Sequence, residues 1–232
     1  MRLIVKDLSK EFDQKSVLNG INYTFEEGKI YALLGRNGAG KTTFFNCLSQ
    51  EIDKNTGEVL IEEDGAERTL DASEIGYVVS TPTVPEFLTG REFLKFFLEI
   101  QGRECSDEII EEQFEKLRID KRDIDILMRD YSHGMKNKMQ MIVNMIYNPP
   151  IIFLDEPLTS FDVVVAEEMK DLLREYKKGH ILILSTHILD IALDLCDEIV
   201  ILNQGYLQHI PNTNDEEMKA EIIKSLKEEA YE

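Results

Sequence analysis

One segment constrains this chain more than any other. Gly35-Arg36-Asn37-Gly38-Ala39-Gly40-Lys41-Thr42 meets the spacing G-x-x-x-x-G-K-[ST] at every fixed position. It follows an apolar run, 30–34, and opens a helical one, 43–48, so a strand must lead into the loop and a helix must leave it. Glycines there let backbone N–H groups curl round a phosphate with no Cβ in the way. The helix N-terminus, from Thr42 and Thr43 onward, adds unpaired donors and the positive end of a dipole. Lys41 can then bridge two phosphates of a nucleoside triphosphate, and the Thr42 hydroxyl can ligate Mg²⁺.

Such a loop needs a carboxylate on a neighbouring strand. Ile151-Ile152-Phe153-Leu154-Asp155-Glu156 supplies it: four apolar residues bury the strand, and Asp155 emerges at its end, where open α/β sheets place their ligands. Asp155 is the expected second magnesium ligand. Glu156 can face the terminal phosphate and orient or deprotonate a water, with Lys41 stabilising charge on the transferred group.

The rest of the chain frames that site. The 232 residues carry a formal charge of −19, which argues against a protein that coats a nucleic-acid backbone, because that affinity needs clustered Lys and Arg. Cys47, Cys105 and Cys196 lack C-x-x-C spacing; they make neither a disulfide framework nor a cysteine zinc site and suit a reducing cytosol. The N-terminus has no leader pattern, and no apolar run is long enough to span a bilayer. The spacing predicts strands at 21–25, 29–34, 57–62 and 75–79, antiparallel because their connections are short. It predicts helices between 82 and 148, where Thr89 and Glu92 form a capping box and Phe93, Phe96, Phe97 and Ile100 share one face; the aromatic stripe Phe93, Phe96 and Phe97 is expected to be mostly core, with a docking contribution from its neighbourhood as the alternative. After Pro149-Pro150, apolar strands alternate with helices, which indicates a parallel sheet covered on both faces. The expected fold class is therefore α/β: a mixed-sheet core over 1–81 and 149–210 with an N-terminal antiparallel β-subdomain. A helical subdomain is inserted at 82–148, and an acidic helix, including Glu228, Glu229 and Glu232, closes the chain over 211–232, all within one domain.

Further motifs stand in order around the two phosphate elements. Ser132-His133-Gly134-Met135 lies shortly before Asp155, Thr159-Ser160-Phe161-Asp162 follows it, and Ser185-Thr186-His187 ends the next apolar strand. With Phe12 near the N-terminus, this order resembles the nucleotide-binding subunit of ABC transporters over essentially the whole length, on a P-loop NTPase core. The resemblance implies ATP hydrolysis by a dimer, homomeric or with a second ABC ATPase, closed around two Mg·ATP. It implies that Ser132 and Gly134 contact the γ-phosphate held by the opposite subunit and that Asp162 lies at the dimer interface. His187 would meet the γ-phosphate and Phe12 would stack on adenine. The partner it implies is a separate integral-membrane permease, with the chain peripheral on the cytoplasmic face of the membrane and no nucleic acid bound. The small size and the S-x-G-M variant resemble exporter-type cassettes; an importer subunit and a soluble ABC-type clamp or assembly factor are the rival readings. One departure stands out. After Val79 the family has a magnesium-ligating glutamine, and this chain has Ser80, which can still reach the metal through a water; weaker or altered coupling between nucleotide and helical subdomain is the expectation.

Overall fold

The computed structural model describes residues 1–13, 15–159 and 161–227. Ser160 and the acidic positions Glu228, Glu229 and Glu232 lie outside the described residues. In chain order the elements are β1 (Arg2–Phe12), β2 (Lys15–Glu26), β3 (Lys29–Leu34), α1 (Lys41–Leu48), β4 (Thr56–Glu63), β5 (Ala66–Thr69) and β6 (Ile75–Val78). Three helices follow, α2 (Gly90–Ile100), α3 (Asp107–Lys116) and α4 (His133–Tyr147). The chain then runs through β7 (Ile151–Asp155), α5 (Val163–Tyr176), β8 (Ile181–Thr186), α6 (Leu189–Leu195), β9 (Glu198–Asn203), β10 (Tyr206–Ile210) and α7 (Asp215–Lys227).

Two sheets result. The smaller, ordered β2-β1-β4-β5, is antiparallel throughout. The larger, ordered β10-β9-β3-β8-β7-β6, is parallel except for β10 at its edge. The expectation that 29–34 and 75–79 pair antiparallel is therefore wrong: β3 and β6 both belong to the parallel sheet. A short connection does not compel pairing. At Gly28 (φ 82°) the chain turns out of β2, and the Gly28 N–H donates to His180 O at 2.9 Å, at the entry to β8. Five successive buried residues of β3, Ile30 to Leu34, need cover on both faces, which the centre of a parallel sheet provides.

The two-residue period of the central strands divides the core. Ile151 and Phe153 of β7, with Ile181 and Ile183 of β8, join Leu3, Val5 and Phe25 of the small sheet and Phe44 and Phe45 of α1. Their alternates, Ile152, Leu154, Leu182 and Leu184, face Leu94, Leu98, Phe114, Met139 and Ile142 of the helices. The capping box forms as the spacing predicts: the Glu92 N–H donates to Thr89 Oγ1 at 3.1 Å, and the Thr89 N–H donates to Glu92 Oε2 at 2.9 Å. The aromatic stripe is corrected. Leu94 and Leu98 are the buried positions of α2, Phe93 and Phe97 pack part-way against that core, and Phe96 and Ile100 are 56% and 64% exposed. At about 100° per residue, Phe96 lies on the far side of the helix from Leu94.

Candidate nucleotide site

β3, β8 and β7 are neighbours, so their C-terminal ends bring three loops to one edge of the sheet. The loop after β3 needs its glycines for different reasons. A Cβ on Gly35 would stand 2.8 Å from Leu202 O, backbone that cannot yield, whereas Gly38 and Gly40 take φ of 83° and 102°, which side chains disfavour. The turn closes where the Ala39 N–H donates to Arg36 O at 3.1 Å. Gly40 is the N-cap of α1 and offers no side-chain oxygen, and the first turn carries no acid. Donors at that terminus therefore have no side-chain acceptor competing with a ligand.

Lys41, at 8% exposure, donates from Nζ to Gly35 O at 2.8 Å and lies 3.9 Å from Glu156 Oε1. Burial lowers its pKa from the ordinary lysine value, while Glu156 and Asp155 pull it back up. Thr42 Oγ1 donates to Asp155 Oδ2 at 2.9 Å, and Ser185 Oγ donates to Asp155 Oδ1. Asp155 is 3% exposed, and the two hydroxyls offset the cost of burying its charge. Ser185 has no role in the sequence reading beyond standing beside His187; the register Asp155↔Ser185 across β7 and β8 places it.

The chain reverses at Glu156, a non-glycine residue at φ 51°, whose N–H reaches both Ser185 O (3.2 Å) and Ser185 Oγ (3.1 Å). That turn aims the carboxylate away from the strand. His187 Nδ1 lies 2.8 Å from Glu156 Oε1, and among the described residues Glu156 Oε2 is buried with no hydrogen-bond partner. An unpaired buried carboxylate oxygen costs free energy unless something else meets it. Glu156 also lines a cleft of about 350 Å³ with Phe12, Val17, Asn37, Gly38, Gly40, Lys41, Thr42, Thr43, Ser80 and Asp155. Phe12 stands at its rim, 46% exposed, with Lys10 Nζ 4.7 Å above one face of the ring.

The other expected residues lie elsewhere on the chain. Ser132 caps α4, accepting the Met135 N–H at 3.2 Å, and Asp162 caps α5, accepting the N–H groups of Val164 and Val165 at 3.0 Å. Neither they nor Gly134 line the cleft of their own chain. Among the described residues, no cluster of three or more His, Cys, Asp or Glu side chains is arranged to hold a metal by itself. The all-oxygen pair of Thr42 and Asp155 fits a hard cation that takes its remaining ligands from phosphate and water.

The family model described as ABC transporter matches residues 18–159. An uncharacterized ABC transporter ATP-binding protein of Methanocaldococcus jannaschii is 34% identical over 217 residues, 92% of this chain and 79% of that protein. The chain belongs to the ABC transporter family. It is an ATP-binding ATPase subunit of that family. The lantibiotic transport ATP-binding protein SrtF of Streptococcus pyogenes is 28% identical over 88% of this chain and 87% of its own length. A solved structure of the ATP-binding subunit of an ABC transporter superposes with a TM-score of 0.79 at 27% identity, covering 97% of this chain and 95% of that one.

Proposed function

We propose that this chain is the motor of an exporter: two copies, or one copy and a second ABC ATPase, close around two Mg·ATP and drive a separate membrane permease. The observation that carries the hydrolytic part is the Glu156 carboxylate, held at Oε1 by His187 and near Lys41, with Oε2 buried and unpartnered in the cleft. An acceptor in that position can take a proton from a water attacking the γ-phosphate. Lys41 and the loop N–H groups bind the phosphates and stabilise the charge that develops on them. His187 orients the Glu156 carboxylate and reaches toward the same phosphate, and Phe12 offers its free face to adenine. Thr42 and Asp155 would hold the magnesium, with Ser80 beside them; the ion would neutralise phosphate charge.

Dimerisation is supported by the Ser132–Gly134 turn, which opens a fifteen-residue helix yet lines no part of its own chain's cleft. An anion-binding helix end of that kind suits a phosphate presented by another copy. The helical segment 82–148 is the subdomain that meets the permease, and 1–81 with 149–210 is the core that binds nucleotide. No helix among the described residues is long and apolar enough to cross a membrane; in the exporter reading the chain works at the cytoplasmic face through its partner. Phe87, Phe96 and Ile100, 78%, 56% and 64% exposed on the helical segment, supply an apolar surface for that contact. Export rather than import rests on the likeness to the lantibiotic transport protein.

The test is recovery of the chain from detergent-solubilised membranes. A multi-span protein should co-purify, and Phe96→Asp should release it while ATP hydrolysis by the isolated chain persists. Recovery of soluble partners alone would overturn the transporter assignment.

A further inference from the structure

α4 lies so close along β6 that Gly76 has no room for a side chain: a Cβ there would stand 2.3 Å from Asn144 Oδ1 and 2.8 Å from Pro149 Cγ. One helical turn earlier on α4, Gln140 meets the far end of the same strand. The Val79 N–H donates to Gln140 Oε1 at 3.3 Å, and Gln140 Nε2 donates to Val79 O at 3.5 Å. The pairing is reciprocal. Turning the amide over would set donor against donor and oxygen against oxygen, so the two contacts select one orientation of the side chain. Asn144 extends the seam by donating from Nδ2 to Gln140 O at 2.9 Å.

Val79 directly precedes Ser80, which lines the phosphate cleft with Thr42 and Asp155. At its other end α4 begins at the Ser132 cap. One rigid helix therefore carries the exposed anion-binding turn and a side chain that grips the backbone beside the cleft. We propose that Gln140 is a positioning residue of the nucleotide site: its amide fixes the Val79–Ser80 backbone at the cleft and transmits to it any displacement of α4. The proposal deepens the Mg·ATP reading above and rests on it. It also revises the expectation of weakened coupling at Ser80, because an amide does reach this loop, from α4 instead of from position 80.

The experiment uses the full chain with Gln140→Met, which keeps length and apolar volume, and Gln140→Ala as a second variant should the first fold poorly. Hydrogen exchange is measured at the Val79 and Ser80 amides without nucleotide, and Mg·ATP turnover is measured separately. The expected result is exchange at Val79 at least about 10-fold faster and kcat about 10-fold lower through misplacement at the cleft. More magnesium should be needed for half-maximal rate, while ATP affinity without magnesium stays unchanged. Unaltered exchange at Val79 overturns the proposal. So does faster exchange with wild-type kcat and magnesium dependence, which would make the contact merely structural. A wild-type chain lacking magnesium-dependent hydrolysis would instead sink the nucleotide reading, and it would do so before any variant is made.

Discussion

Glu156→Gln separates chemistry from architecture. The substitution keeps the shape of the side chain and one acceptor oxygen, and removes the charge and the ability to take a proton. Its structural cost is small. Glu156 Oε1 lies 2.8 Å from His187, which is half exposed, and 3.9 Å from the buried Lys41; the attraction lost at Lys41 is offset because a neutral amide no longer buries a charged oxygen without a partner, which leaves a net cost of about 1 kcal/mol. For a chain of this size that is a fall in Tm of about 2–4 °C. The kinetic cost is larger. A positioned base contributes about 10²- to 10⁴-fold, or about 2.7–5.5 kcal/mol of transition-state stabilisation. Phosphate release at saturating Mg·ATP should therefore fall at least about 100-fold while equilibrium dialysis shows ATP still bound. Size-exclusion chromatography should show a nucleotide-loaded dimer accumulating. Hydrolysis within a few-fold of wild type, in a folded variant that binds ATP, would remove Glu156 as the base.

Gly76→Ala should lower stability. The added methyl meets Asn144 and Pro149 at 2.3 and 2.8 Å, so α4 must lift from β6 at a cost of about 1–3 kcal/mol, a fall in Tm of about 2–12 °C. Melting followed by circular dichroism checks it, and an unchanged Tm would mean the helix yields freely. Phe12→Ala should weaken ATP binding by about 5- to 150-fold, the equivalent of about 1–3 kcal/mol of stacking, and leave kcat at saturation unaltered. Titration calorimetry measures the affinity, and wild-type binding would place adenine elsewhere.

Much of the candidate site is legible in the sequence because its elements are local. The glycines, Lys41 and Thr42 are contiguous, and Asp155 and Glu156 follow an uninterrupted apolar strand. What escapes a linear reading is set by partners far along the chain. Ser185 is one serine among several until β7 and β8 pair in register, and Gln140 sits unmarked in a helix until that helix lies against β6. Local turn chemistry misplaces β3 and β6 because it describes how the chain reverses, not which strand it then joins. The α2 stripe fails for a related reason: a helix with apolar residues on more than one side does not say which side its neighbours cover, and Leu94 and Leu98 take the core.

β3, β8 and β7 stand side by side, with Leu34 opposite Thr186 and Ser185 opposite Asp155. Neighbouring strands keep a spacing of about 4.8 Å whatever side chains they carry, so the backbone ladder acts as a ruler for the distance from the phosphate loop to the two carboxylates. Amino-acid drift along these strands can replace one aliphatic residue with another and leave the ruler unmarked. A relative sharing about a quarter of its residues can thus superpose on nearly the whole chain. Two residues of slippage in β7 would displace Asp155 by about 6.6 Å, out of reach of Thr42, a change that no substitution at the cleft could repair.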